Sequence, residues 1–422
     1  MKRVVITGLG SVGPLGVGAE LTFQKAISGH TGFVSTSVLG PEFYNKTRSK
    51  VVSLVPHGTK EGFFDTNNPL INPKLMAKFI QYAVVATEEA LKDAGLIDFE
   101  SRERIGVTIG NGLGGLDLIE NKVLKLAQLG SEAQALASYG PFFIPACLPS
   151  LAAGFVSIAF RLKGPNRTVS AACATGLYSI DDGASMIKNG QADMVVAGST
   201  ESTICITALA GFDAMTALSR KHNDNPTTAS RPYDRDRDGF VLGEGAGILI
   251  LEDMDHAKAR GAKIYAEYLG SGLTSDAYHI SSPSGEGAER AMRIAMDTCG
   301  LSKDQIGYIG THATSTPIGD KTEIDSISRI FGKEIPPFSA VKSSIGHLLS
   351  GASGVESVML IKSMEHQILL PTMNVENPDD FVKDLDYVPY KPGEVRKHGF
   401  EYAMKNSFGF GGTNACSIFR KL

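Results

Sequence analysis

The chemistry open to this chain begins with one cysteine. Cys173 lies in VSAACATG (169–176), where a short strand-like run passes into a helix-like run after Leu177. Small residues on both sides leave room for a substrate to approach the sulfur. A thiol at a helix N-terminus has its thiolate favoured by the macrodipole and by free N–H groups. A neighbouring backbone N–H can also form half of an oxyanion hole. Taken alone, the setting suits a small buried hydrophobe better than a nucleophile, because free cysteine is commonly buried. Cys147, Cys205, Cys299 and Cys416 have no comparable surroundings and read as packing residues.

Two of the nine histidines could serve such a thiol. His312 follows a strand-like run, 306–310, and opens the hydroxyl-rich loop HATSTPIGD; His347 lies among small residues in KSSIGHLLSG (342–351). Imidazoles there could act as base, proton donor or oxyanion stabiliser. His30, His57, His222, His256, His366 and His398 sit in polar or helical contexts that suggest the surface, and His279 in a Ser-rich loop fits either role. A third block, NSFGFGGTN (406–414), alternates glycine with phenylalanine. It suits a gate over an acyl channel that presents backbone N–H groups, or an aromatic-anchored turn before a last strand at 415–419.

These residues need a scaffold, and the pattern supplies one. Apolar β-branched runs at 4–6, 105–109, 194–197 and 246–251 alternate with amphipathic stretches at 78–94, 118–129 and 180–189. That alternation predicts an α/β fold with buried strands. A second series runs from a strand at 264–268 through a helix at 288–299 to a strand at 306–309, and 264–273 loosely echoes 3–12. The echo reads as a sign of duplication, with halves at 1–255 and 256–422, although so short a match also arises by chance in α/β chains.

The 422 residues carry a net charge of −4 with both signs interspersed, which gives no basic stripe for nucleic acid. No run of about 18 apolar residues occurs to cross a membrane. The opening reads as a strand and not a signal peptide. Five scattered cysteines without C-x-x-C argue against zinc or a disulfide framework and for a reducing compartment. GLGSVG (8–13) and GNGLGG (110–115) match a dinucleotide-binding turn. Neither is followed by a strand ending in an acid about 20 residues on, so both read as tight strand-to-helix turns.

Taken in order, the blocks VVITGLG, PFFIP, ACATG, SRPYDRDRDGFVLGEGAG, SDAYHISSP, HATSTPIGD, KSSIGHLLSGASG, NPDD and NSFGFGGTN resemble the elongating β-ketoacyl-acyl-carrier-protein synthases of the thiolase-like superfamily. The resemblance spans the whole chain. It implies a duplicated five-layer α-β-α-β-α fold with one mixed sheet per half, a homodimer, and acyl carrier protein as partner. It implies Cys173 as acyl-accepting nucleophile and His312 with His347 as the decarboxylating pair. Lys342 and Glu356 match a buried ion pair, Thr314 and Thr316 the hydroxyls that bind the phosphopantetheine arm. Phe410 matches the gate, its N–H joining that of Cys173 as oxyanion hole, with Phe408 beside it at the substrate. The charged run 234–238, otherwise a solvated face, falls in a block the family uses structurally.

The implied reaction is a ping-pong decarboxylative Claisen condensation in fatty acid chain elongation, with no redox cofactor or catalytic metal. Three details depart from the family pattern. HATST stands for the commoner HGTST, a form associated with mitochondrial and plastid versions; Val341 stands for Thr, and LLSGASG for LLGAAG. The compartment is then cytoplasm or an organelle matrix. A polyketide ketosynthase would keep the same residues. A non-condensing partner subunit would usually lack Cys173, a cysteine hydrolase would need an orienting Asn or Asp, and a thiolase would need a C-terminal C-x-G, which Cys416-Ser417-Ile418 does not supply.

Overall fold

The apolar runs become strands buried along their whole length. Val4–Gly13, Ile105–Gly110, Met194–Glu201 and Gly245–Asp253 carry no exposed residue, as strands covered by helices on both faces require. The computed structural model describes residues 2–129, 134, 137 and 139–422.

Across one edge-to-centre half the order is Asn166–Arg167, Ile105–Gly110, Met194–Glu201, Gly245–Asp253, Val4–Gly13. From the centre outward it continues Ala266–Ser275, Thr413–Arg420, Tyr402–Gly409, Ile306–Gly310, Phe338–Ser339. Outward from the centre each half makes two antiparallel joins and then two parallel ones. The echo between 3–12 and 264–273 therefore marks structural equivalents: they form the two central strands, each of 10 residues. Where one sheet per half is expected, a short antiparallel ladder, Val4 opposite Tyr268 to Ile6 opposite Ala266, joins the two into one hydrogen-bonded path.

Helices Lys78–Asp93 and Leu151–Phe160 cover the outer face of the first half, and Glu286–Cys299 and Pro317–Phe331 that of the second. Between the halves lie Thr175–Lys188 and Ala352–His366, which share the central apolar cluster with strands of both. Their close approach depends on missing side chains. A Cβ on Gly176 would stand 2.5 Å from the Gly354 nitrogen, and one on Gly247 only 2.1 Å from the Gly354 carbonyl carbon. Backbone packs on backbone there, a use to which only glycine is suited.

The helix expected at 180–189 starts a turn earlier, at Thr175, and the one expected at 118–129 spans Leu116–Leu126. Small residues such as Gly176 and Ala184 hide the apolar period at the first of these. The charged run 234–238 is no solvated face at its two ends of interest. Asp234 is buried and accepts the Glu376 and Asn377 N–H groups, and buried Arg237 pairs with Asp379 at 2.7 Å.

Candidate active site

The duplication aims two helix N-termini at one cavity. In the first half, edge strand Asn166–Arg167 leads to Cys173 and then into Thr175–Lys188; in the second, Phe338–Ser339 leads to His347 and then into Ala352–His366. Cys173 and His347 are thus topological counterparts that meet, His347 Nε2 lying 3.0 Å from the Cys173 sulfur. Ala172, at φ 47°, bends the chain into this corner. The Cys173 carbonyl accepts hydroxyl bonds from Ser407 at 2.9 Å and Ser353 at 3.2 Å, which fix the cysteine backbone between the two halves.

His312 leaves the end of strand Ile306–Gly310, beside the parallel strand Tyr402–Gly409 that delivers Phe408. Its ring stands 5.6 Å from that of His347 and 5.8 Å from that of Phe408. Its backbone N–H and that of Ala313 donate to Glu323 at 2.9 and 2.8 Å. Lys342 Nζ donates to the His312 carbonyl at 2.7 Å and faces its Nδ1 at 3.4 Å. An ammonium can only donate, so it favours Nδ1 as acceptor and leaves the proton on Nε2. Lys342 also pairs with buried Glu356, whose other oxygen meets Lys405 at 2.8 Å.

Thr314 and Thr316 share a hydroxyl contact of 3.0 Å on the loop beyond His312. Asp320, in the first turn of Pro317–Phe331, shapes that loop by accepting the Ser315 and Thr316 N–H groups at 3.0 and 3.3 Å. The Phe410 backbone N–H faces the Cys173 thiol and favours its charged form, while the residue is 39% exposed in the turn between the last two strands. Cys173, His312, His347, Thr314, Thr316, Phe408 and Phe410 all line one cavity of about 650 Å³.

Electrostatics set the resting state. Burial pushes the Cys173 thiol up to about 11, against a pull downward from Lys342 and the Phe410 N–H. Burial, with the Lys342 and Lys405 charges, holds His312 and His347 well below the usual histidine range. The helix terminus expected to favour a thiolate is outweighed, and the pair rests as thiol and neutral imidazole. Proton transfer must then accompany attack, and a neutral Nε2–H remains able to donate to an oxyanion.

The structure brings the singled-out site residues to one place, with Lys342 and Glu356 buried behind His312 and not lining the cavity. Six of the other histidines, His30, His57, His222, His256, His366 and His398, are exposed or half-buried as expected, and His279 is exposed at the cavity mouth. Sequence reasoning passed over Glu323, Lys405 and Asn406, whose Nδ2 donates to Glu323 at 3.1 Å. Asn406 opens the block NSFGFGGTN, and Glu323 recurs one turn after Asp320 on the buried helix face that carries Ile324, Ile327 and Phe331. Lys405 gave the clearest signal, a lone charge in the strand YAMKNSFG. Glu201 was also passed over. It is buried at the cavity wall, pushed up to about 7 by burial, and accepts the Ser350 hydroxyl at 2.7 Å.

The family model described as Beta-ketoacyl synthase, N-terminal domain, matches residues 1–257, and Beta-ketoacyl synthase, C-terminal domain, matches residues 265–376. The chain belongs to the beta-ketoacyl synthase family. Its relatives include the mitochondrial 3-oxoacyl-[acyl-carrier-protein] synthase of Arabidopsis thaliana, 43% identical over all of this chain and 94% of that one. The 3-oxoacyl-[acyl-carrier-protein] synthase 2 of Rhizobium meliloti is 44% identical over 100% and 99% of the two chains. A beta-ketoacyl synthase structure from Burkholderia phymatum superposes with a TM-score of 0.89 at 34% identity, covering both chains fully. So does a ketosynthase bound to the hexaketide, in complex with its type II PKS acyl-carrier protein, with a TM-score of 0.89 at 30% identity. This beta-ketoacyl synthase has the duplicated thiolase-like α/β fold, and it is an acyltransferase of the condensing type.

Proposed function

We propose that this beta-ketoacyl synthase elongates fatty acyl chains by condensing an acyl group held on Cys173 with malonyl-acyl carrier protein. The observation that carries the reading is the 3.0 Å contact of His347 Nε2 with the Cys173 sulfur inside a cavity that also holds His312. The full-length relatives named 3-oxoacyl-[acyl-carrier-protein] synthase support the fatty acid pathway over a polyketide one.

In the first half-reaction the Cys173 thiol attacks the acyl thioester as its proton passes to His347 Nε2. The tetrahedral oxygen sits on the N–H groups of Cys173 and Phe410, and the carrier thiol leaves with the proton. In the second, the malonyl C–C bond to the carboxylate breaks, carbon dioxide departs, and the electron pair stays on the α-carbon. The enolate oxygen takes hydrogen bonds from Nε2–H of His312 and His347. His347 Nδ1 is buried without a partner among the described residues, so its ring is held in neither tautomer and can accept first and donate later. The carbanion attacks the Cys173 thioester, and collapse releases the 3-oxoacyl product two carbons longer and leaves the Cys173 thiolate, which is reprotonated from solvent, its own proton having left on the carrier thiol. These steps balance without a redox cofactor or a metal.

Thr314 and Thr316 bind the phosphopantetheine arm, and Phe408 and Phe410 border the acyl group. The nucleophile belongs to the half 1–255 and the histidine pair to 256–422. A homodimer is supported by an exposed apolar set, Val123, Leu124, Phe142, Ile144, Leu148 and Ile158, on a run of packed helices of which the last, Leu151–Phe160, lies against the edge strand Asn166–Arg167. Among the described residues no helix is long and apolar enough to cross a membrane. Cytoplasm or an organelle matrix suits free thiols, and relatives include mitochondrial forms. Incubation with acyl- and malonyl-acyl carrier protein tests the reading: one carbon dioxide per 3-oxoacyl product supports it, and no chain extension sinks it.

A further inference from the structure

Lys405 is a buried charge that none of these steps uses, with 1% of its surface exposed. Its stem passes over Gly310, its partner in the parallel ladder, where a Cβ would stand 3.1 Å from Lys405 Cδ. The ammonium then lies 2.7 Å from the Asn406 carbonyl oxygen, 3.1 Å from that of Thr311 and 3.4 Å from that of Gly310. Glu356 Oε2 is 2.8 Å away, at an angle that makes no aligned hydrogen bond. Four oxygens thus surround one charge that has only three N–H bonds to give. An all-oxygen cage closed by a carboxylate is the surrounding that a hard metal cation takes.

The four oxygens belong to three segments that build the site. Thr311 precedes His312, Asn406 leads to Phe408, and Glu356 holds Lys342 with its other oxygen. Lys342 in turn faces His312 Nδ1. The Lys405 charge also contributes to keeping both histidines neutral.

We propose that Lys405 is a positioning residue for the condensation, a tethered cation standing in an alkali-metal-type oxygen cage, which locks the His312 turn, the Phe408 strand and the Glu356–Lys342 pair together. The proposal rests on the condensing reading above.

Lys405→Ser empties the cage and leaves its oxygens in place. Malonyl-acyl carrier protein decarboxylation and Cys173 acylation are measured in choline chloride, potassium chloride and ammonium chloride at equal ionic strength. The wild type should show the same rates in all three salts. The Ser variant should decarboxylate at least about tenfold more slowly in choline chloride, the usual scale for losing a residue that orients a catalytic group. It should recover severalfold with potassium or ammonium while acylation changes little. Lys405→Met, which fills the space without charge, should be slow in all three salts. The proposal is overturned by a Ser variant as fast as wild type in choline chloride, or by one that neither cation rescues. It is equally overturned by a wild type that itself requires potassium, a readout that needs no variant to fold. A wild type that neither acylates Cys173 nor decarboxylates malonyl carrier would instead sink the condensing reading.

Discussion

His347 Nε2 and the Cys173 sulfur meet at 3.0 Å from equivalent positions of two duplicated halves, each just ahead of a central helix. The site is therefore a product of the duplication: neither half contains both partners. Whatever separates the central helices separates nucleophile from imidazole.

The two histidines should divide the reaction. His312 lies over the cavity with Lys342 behind its Nδ1, so His312→Ala should slow malonyl decarboxylation by about 10²–10³, the usual cost of one oxyanion donor. Acylation of Cys173 should persist. Stopped acylation assays with the variant would contradict the assignment if both half-reactions fell together.

The pH response follows from burial. With its thiol raised to about 11, Cys173 ionises late, so its alkylation by iodoacetamide should climb about tenfold per pH unit from 7 to 10 and not level off near the ordinary cysteine value of about 8.5. A plateau at or below pH 8 would contradict the neutral resting thiol. Both imidazoles are lowered in the fold. The unfolded chain therefore takes up protons the native one refuses, and their contribution to stability should fall as pH drops below about 6.5. Urea midpoints at pH 7.5 and 5.5 measure that fall.

Glu356 sits between Lys342 and Lys405, and the three are buried. Glu356→Leu leaves two buried ammonium groups without their carboxylate and should cost about 3–5 kcal/mol. Lys342→Met leaves Glu356 still balanced by Lys405. It should fold near normally yet decarboxylate slowly, because His312 loses its hydrogen-bond partner. Denaturant titration beside activity separates the two outcomes; equal stability losses would contradict the asymmetry.

Gly247→Ala places a methyl 2.1 Å from the backbone of Gly354. Overpacking of this kind costs about 1–3 kcal/mol, and the displaced helix carries Ser353, which holds the Cys173 carbonyl. Both melting temperature and condensation rate should drop. A variant as stable and as active as wild type would show that the helix contact is slack.

Much of this was legible in the sequence where local pattern and tertiary role agree. The buried strands gave continuous apolar runs, and the His312 loop showed its hydroxyls and its proline-started helix. Cys173 was not legible alone, since a cysteine among alanines looks the same in a core as at a nucleophile. Only the ordered blocks across the chain distinguished the two. Lys405, Glu323 and Asn406 escaped because their meaning lies in contacts with segments far along the chain. Asp234 and Arg237 read as structural only through the ordered blocks, because their partners Glu376, Asn377 and Asp379 lie more than a hundred residues away. The thiol's raised pKa was invisible because burial, and not neighbouring sequence, sets it.

The central claim is that Cys173 carries the growing chain. Intact-protein and peptide mass spectrometry after incubation with acyl-acyl carrier protein should find one acyl group, on the peptide containing Cys173, and none in Cys173→Ala. An acyl group on any other residue, or chain extension by Cys173→Ala, would contradict it.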